Sequence, residues 1–294
     1  MTSIDLETLN SASVESFVEA VGDICENAPW IAEQAAARRP FATVAALHSA
    51  MMDVVREAPL ADQLAFLRGH PELSGKAARA GAMTAASIAE QGSLGLDRLS
   101  DAEFDRFERA NAAWGAKFGF PFIVCVRRQT RDSILASFDR RLSNDIATEI
   151  AASLAEIGFI TRLRLVSKVT GPGMPVTMGR VSTHVLDTVL GKPAAGVAIS
   201  LHEIGESGTA TVVSTVTNHD GRTDAPLISG MPLRIGTYEL RFHIGAYFAR
   251  TGAAAGSPPF LDMVPIRFSI AEPEGHYHVP LLVSPWTYTT YRGS

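Results

Sequence analysis

The run VTGPGMPVTMG, from Val169 to Gly179, divides the sequence into two halves of different period. It holds three glycines, two prolines and no charge, and reads as a linker. Before it, hydrophobic residues recur at helical spacing. Val14, Phe17, Val18 and Val21 follow Ser13, whose hydroxyl suits an N-cap. Ser100 and Glu103 have capping-box spacing, ahead of a face made by Phe104, Phe107, Asn111, Trp114 and Phe118. Ile146, Ile150, Leu154 and Ile157 predict another helix, with Gly158 as its stop. After Gly179 the period falls to two. Val197, Ile199 and Leu201 alternate with Ala198, Ser200 and His202, and Tyr238, Leu240, Phe242 and Ile244 alternate with Glu239, Arg241 and His243. Ile266, Phe268 and Ile270 repeat the pattern, and Asp220-Gly221 predicts a turn. The expected architecture is an all-α domain over residues 1–168, a linker over 169–179 and an all-β sandwich over 180–294.

Composition narrows the function classes. The 294 residues fit two domains of ordinary size, and 46% hydrophobic with 19% charged residues excludes a disordered or fibrous chain. A net charge of -5 gives no electrostatic basis for nucleic-acid binding. Arg127, Arg128 and Arg131 are the densest basic run and read as a solvated helix face. No stretch approaches the roughly 20 apolar residues of a membrane helix, so no membrane partner is expected. Met1 to Leu9 carries acids and no apolar leader, which predicts a soluble, cytoplasmic protein. Cys25 and Cys125 are too few for a disulfide framework or a zinc ribbon and read as reduced, buried thiols. No phosphate-binding or dinucleotide-binding glycine pattern occurs.

Four motifs punctuate the strand-rich half: SxHVLD around His184, DGR at Asp220 to Arg222, HYHVPLL from His276 to Leu282, and the ending YRGS from Tyr291 to Ser294. Opening a ring amide needs water to attack a carbonyl, a base to take its proton and a cation to hold the oxyanion. Imidazoles and a guanidinium are the residue types for that work. His276 and His278 share one face of a strand and also have the spacing of a His-x-His metal pair, although no third ligand of matching spacing is apparent. In this order the motifs resemble the 5-hydroxyisourate hydrolase family across residues 180–294. The resemblance implies a transthyretin-like sandwich and a hydrolase without metal or cofactor. It implies His184, Arg222, His278 and Ser294 as catalytic groups, with Tyr291 at the substrate. It also implies a tetramer whose sites lie in a channel between subunits.

The helical half carries HPELSGK (70–76), SIAEQ (87–91), GFPFIVCV (119–126), FDRRLSND (138–145) and RLRL (162–165). Histidine is the side chain whose ordinary pKa suits proton delivery near neutrality. This series resembles the 2-oxo-4-hydroxy-4-carboxy-5-ureidoimidazoline (OHCU) decarboxylase family over about residues 8–168. The resemblance implies an all-helical enzyme with His70 as proton donor and Glu90 orienting the substrate or the imidazole. Pro71, Ser87 and Gln91 would contact the substrate, the last two at its amide edges, and the backbone at Phe122 and Ile123 would close the pocket. Arg164 is a further contact, with Arg162 competing for that place. The substrate's own ring C=N accepts the electrons left by the carboxylate, so no cofactor is implied. Helical domains of this kind are expected to form dimers.

Together the two resemblances imply a homo-oligomeric enzyme of urate catabolism acting on small molecules. It would hydrolyse 5-hydroxyisourate to OHCU and decarboxylate OHCU to (S)-allantoin. The alternative is a transthyretin-like small-molecule binding protein fused to a helical scaffold, with neither site active.

Overall fold

The computed structural model describes residues 3–74, 84–253 and 256–293. The chain divides into two compact units, Met1–Arg127 with Ile134–Val176, and Arg128–Ser133 with Thr177–Ser294.

The helical half comprises α1 (Leu6–Ser11), α2 (Val14–Val21), α3 (Pro29–Ala36), α4 (Val44–Glu57), α5 (Leu60–Arg68), α6 (Ala85–Gly92), α7 (Asp101–Phe118), α8 (Arg131–Arg141) and α9 (Ile146–Lys168). Side-chain oxygens start many of them. Ser13, Thr43, Thr84 and Asp145 each accept an amide of the first turn, and Ser100 with Glu103 closes a capping box. These bonds satisfy donors that a helix N-terminus leaves unpaired. The apolar faces meet in one core, where Phe122 stacks on Phe138 and Trp114 stands edge-on to both.

Two departures from the sequence reading follow from packing. Gly158 does not end its helix, because apolar residues continue the pattern beyond it and α9 runs to Lys168. An internal glycine costs about 1 kcal/mol, too little to break a packed helix. The half is not purely helical, since β1 (Ile4–Asp5) pairs in parallel with β2 (Val169–Thr170) once α9 has ended. The Pro172 and Gly173 carbonyls then accept from the Val44 and Ala45 amides, supplying the N-terminus of α4 with two acceptors.

The second unit is a two-sheet sandwich. One sheet has the order β10-β9-β3-β4, from β3 (Arg180–Asp187), β4 (Lys192–Pro193), β9 (His276–Val283) and β10 (Tyr288–Thr290). The other has the order β6-β5-β7-β8, from β5 (Ala198–Gly205), β6 (Gly208–Val216), β7 (Gly236–His243) and β8 (Met263–Ile270). Val181, Val185, Tyr277, Val279 and Leu281 of the first sheet bury their side chains in one core with Ile199, Leu201, Leu240 and Phe242 of the second. The strand period predicted for Ile244 gives way to a helix, α10 (Ile244–Thr251), so this unit is strand-rich rather than all-β. Arg128 is not solvated: it is buried and pairs with Glu274 at 2.9 Å.

Candidate active sites

In the helical unit, His70, Pro71, Ser87, Glu90, Gln91, Phe122, Ile123 and Arg164 all line one cavity, together with Glu26, Leu73, Val124, Val126 and Ile160. α6 contributes Ser87, Glu90 and Gln91 from adjacent turns, and α9 contributes Arg164. The turn after α5 carries His70. Its Nδ1 lies 3.0 Å from the Phe66 carbonyl, which assigns the proton to Nδ1 and leaves Nε2 as the free nitrogen. Burial pushes the His70 pKa below the usual value and Arg164 adds to this, while the Phe66 bond and the charges of Glu26 and Glu90 oppose it.

Arg164 lies between two carboxylates. It grips Glu90 bidentately, Nε to Oε1 at 2.9 Å and Nη2 to Oε2 at 2.8 Å, and reaches Glu26 at 3.4 Å. Burial works against the guanidinium charge, but Glu90 and Glu26 more than offset it and raise its pKa. Arg162 lies over the Phe159 ring and does not line the cavity, whereas Arg164 does.

Glu26 escaped the sequence reading. It is buried, and it accepts hydrogen bonds from Ser87 at 2.6 Å and Thr84 at 2.5 Å. Burial alone would raise its pKa. The Ser87 and Thr84 hydroxyls, with the charges of Arg164 and His70, hold it below the ordinary value instead. The local signal is a carboxylate within the apolar run ICENAPW (24–30), followed by Asn27 in the left-handed region at φ 56°.

Two of these residues also bond within the protein. Ser87 directs its single proton to Glu26, so it can only accept from a ligand. Gln91 holds the loop that carries His70: its Oε1 accepts from the Ser74 amide at 3.0 Å and its Nε2 donates to the Glu72 carbonyl at 3.2 Å. Asn111 donates to the Leu73 carbonyl at 2.8 Å, so three successive residues of that loop are fixed by buried amides. Gly75 and Lys76 of the HPELSGK motif lie outside the described residues.

In the strand-rich unit, β3 and β9 run parallel, with Ser182 opposite His278 and His184 opposite Pro280. The period of two turns Ser182, His184, His276 and His278 away from the sandwich core. Gly221 brings Arg222 to them. It has φ 69°, and a Cβ there would meet the Val185 carbonyl at 2.3 Å, so only glycine lets the DGR turn approach β3 and form the His184–Arg222 bridge. Gly293 does the same at the chain end: its amide donates to the His278 carbonyl at 2.9 Å, and a Cβ would meet the His278 ring at 2.6 Å.

Both imidazoles of this face are shifted toward the neutral form. Burial lowers the His184 pKa and Arg222 adds to it, against a backbone bond and the charge of Asp220. Burial lowers His278 as well, and Arg222, His276, His184 and Arg180 all push the same way. His184 Nε2 is buried without a hydrogen-bond partner. Tyr291 is exposed, and Ser294 lies outside the described residues. Among the described residues no group of three His, Cys, Asp or Glu could hold a metal.

A helical unit with a buried His–Glu–Arg cavity and a transthyretin-like sandwich with a His–Arg–His face define the class, and the comparisons agree. The chain belongs to the OHCU decarboxylase family, whose model matches residues 10–166, and to the HIUase/transthyretin family, whose model matches residues 181–293. Over 114 residues it is 54% identical to 5-hydroxyisourate hydrolase of Deinococcus radiodurans, covering 39% of this chain and 95% of that one. Over 168 residues it is 39% identical to 2-oxo-4-hydroxy-4-carboxy-5-ureidoimidazoline decarboxylase of Haloferax volcanii, covering 57% of this chain and 98% of that one. At the level of the particular protein, the crystal structure of (S)-allantoin synthase is similar over 99% of this chain and 100% of its own, at 33% identity and a TM-score of 0.52.

Proposed function

We propose that this chain is a bifunctional enzyme that hydrolyses 5-hydroxyisourate in its strand-rich unit and decarboxylates OHCU to (S)-allantoin in its helical unit. The observation that carries the reading is that His70, Pro71, Ser87, Glu90, Gln91, Phe122, Ile123 and Arg164 line one cavity, while His184, Arg222 and His278 converge on one sheet face.

In the hydrolase, neutral imidazoles are the form a general base requires, and Arg222 supplies positive charge for the oxyanion of the attacked carbonyl. Water adds to the ring carbonyl, the C–N bond breaks, and the departing nitrogen takes a proton. In the decarboxylase the C–CO₂ bond breaks and its electron pair moves into the neighbouring ring C=N. The pair returns to carbon as a new C–H bond. The substrate carboxylate is an added negative charge beside His70, which favours the imidazolium. Nε2–H is then the donor, on one face only. Glu90 and Glu26 hold Arg164, and this charged frame holds the imidazole's surroundings fixed.

The assembly is read as a tetramer through the sandwich. β10 is a sheet edge, and Trp286, Tyr288 and Tyr291 on or beside it are exposed aromatic residues. An open apolar edge is a surface that a second copy would cover.

The test of the two-site reading is His184→Ala. It should abolish hydrolysis of 5-hydroxyisourate while OHCU supplied by an independent hydrolase is still decarboxylated. Loss of both activities in a folded variant would contradict two independent sites.

A further inference from the structure

We propose that Ser182 and His276 are positioning residues of the hydrolase site, the hydroxyl between two imidazoles deciding which nitrogen of His278 is the free base. The inference rests on the hydrolase reading above. It gives a role to His276, the one histidine of HYHVPLL that this reading leaves unused.

The parallel register places Ser182 directly opposite His278, with His276 one strand repeat away on the same face. Ser182 Oγ lies 2.9 Å from His278 Nδ1 and 2.9 Å from His276 Nε2. A serine hydroxyl has one proton, so it donates to one ring and accepts from the other. When His276 is neutral with an acceptor Nε2, Ser182 donates to it and accepts Nδ1–H of His278. His278 Nε2 then carries a lone pair and can take a proton from water. When His276 gains a proton at Nε2, it donates to Ser182, which must donate to His278 Nδ1. The proton of neutral His278 then sits on Nε2, and the base is lost.

His276 is exposed, whereas His278 is half-buried beneath Gly293. The charged groups facing the pair are Arg180 and His184 from β3 and Arg222 from the DGR turn. Those acting on His278 all disfavour a second proton there. The relay thus couples the outer imidazole to the tautomer of the inner one.

The experiment is the pH–rate profile of 5-hydroxyisourate hydrolysis by the full chain and three variants, with decarboxylation of separately supplied OHCU reporting an intact protein. Ser182→Ala should lower kcat by about 10- to 100-fold with little change in KM, a part of the ~10²–10⁴ that a positioned base supplies. Ser182→Thr, which keeps the hydroxyl, should restore most of the rate. His276→Gln removes the outer ring that Ser182 bridges and should alter the pH–rate profile. If Ser182→Ala and His276→Gln both keep the parent profile, the inference is overturned while the hydrolase reading stands. If the parent chain itself fails to hydrolyse 5-hydroxyisourate, the hydrolase reading falls first.

Discussion

At the scale of single residues, the strongest expectation concerns His70. His70→Asn keeps a polar group of similar size but removes proton transfer. Decarboxylation should fall by about 10²–10⁴, and any allantoin formed should drift toward a racemate as water protonates either face. Chiral chromatography of the product checks it. A single enantiomer made at near-parent rate would move the donor elsewhere. Gly293→Ala is the matching change in the other unit. Its Cβ would press on the His278 ring at 2.6 Å, so hydrolysis should fall while decarboxylation persists, as separate progress curves would report. The placement of His70 and Glu90 on one cavity and of His184 beside Arg222 was legible in sequence because each sits in a short motif. Glu26 was not, since its partners Ser87 and Arg164 lie 61 and 138 residues away and only the fold brings them together. Gln91 was legible as a candidate that lines the cavity, but its bonds to the Ser74 amide and the Glu72 carbonyl were not. Whether an amide faces the substrate or the backbone is decided by the loop it meets.

At the scale of elements, α8 and α9 carry a buried ion pair that holds up the decarboxylase wall. Arg141 pairs with Glu149, donates to the Ile123 carbonyl at 2.9 Å and lies over the Trp114 and Phe122 rings. Removing one partner strands the other charge in the core, which costs about 3–5 kcal/mol. Glu149→Gln should therefore lower the unfolding temperature of the helical unit and reduce decarboxylation, with hydrolysis retained. The FDRRLSND motif contains Arg141 without saying what it supports.

In α4, His48 lies 3.0 Å from Thr161, and burial with the charges of Arg162 and Arg56 pushes its pKa down to about 4, against a backbone bond at Gly158. The folded state then binds fewer protons than the unfolded state between pH 4 and 6.5, so stability falls as pH drops through that window, by up to about 3 kcal/mol. His48→Gln should flatten that slope in urea titrations at pH 7 and pH 5, and an unchanged slope would exclude the histidine. Helix starts were readable from caps, because a serine or aspartate acts within one turn. Ends were less so: Gly158 inside α9 and Ile244 at the head of α10 follow packing that local pattern does not encode.

At the scale of the whole molecule, the period change on either side of the VTGPGMPVTMG run announced two architectures, and the chain has them. Purity of class was overstated. A two-residue ladder enters the helical half and a helix enters the sandwich, both supplied by contacts distant in sequence. Joining two sequential activities raises the effective concentration of the second site for the first product. If the sandwich assembles through its open β10 edge, light scattering of the full chain should give a tetramer, and Tyr288→Lys should weaken it. A monomer with full hydrolase activity would refute that assembly. The most direct measurement of the account as a whole is to add freshly made 5-hydroxyisourate to the full chain alone and follow optical activity with time. The account predicts rapid accumulation of (S)-allantoin, with no added hydrolase, decarboxylase or cofactor. Slow formation of racemic allantoin at the uncatalysed rate would contradict it.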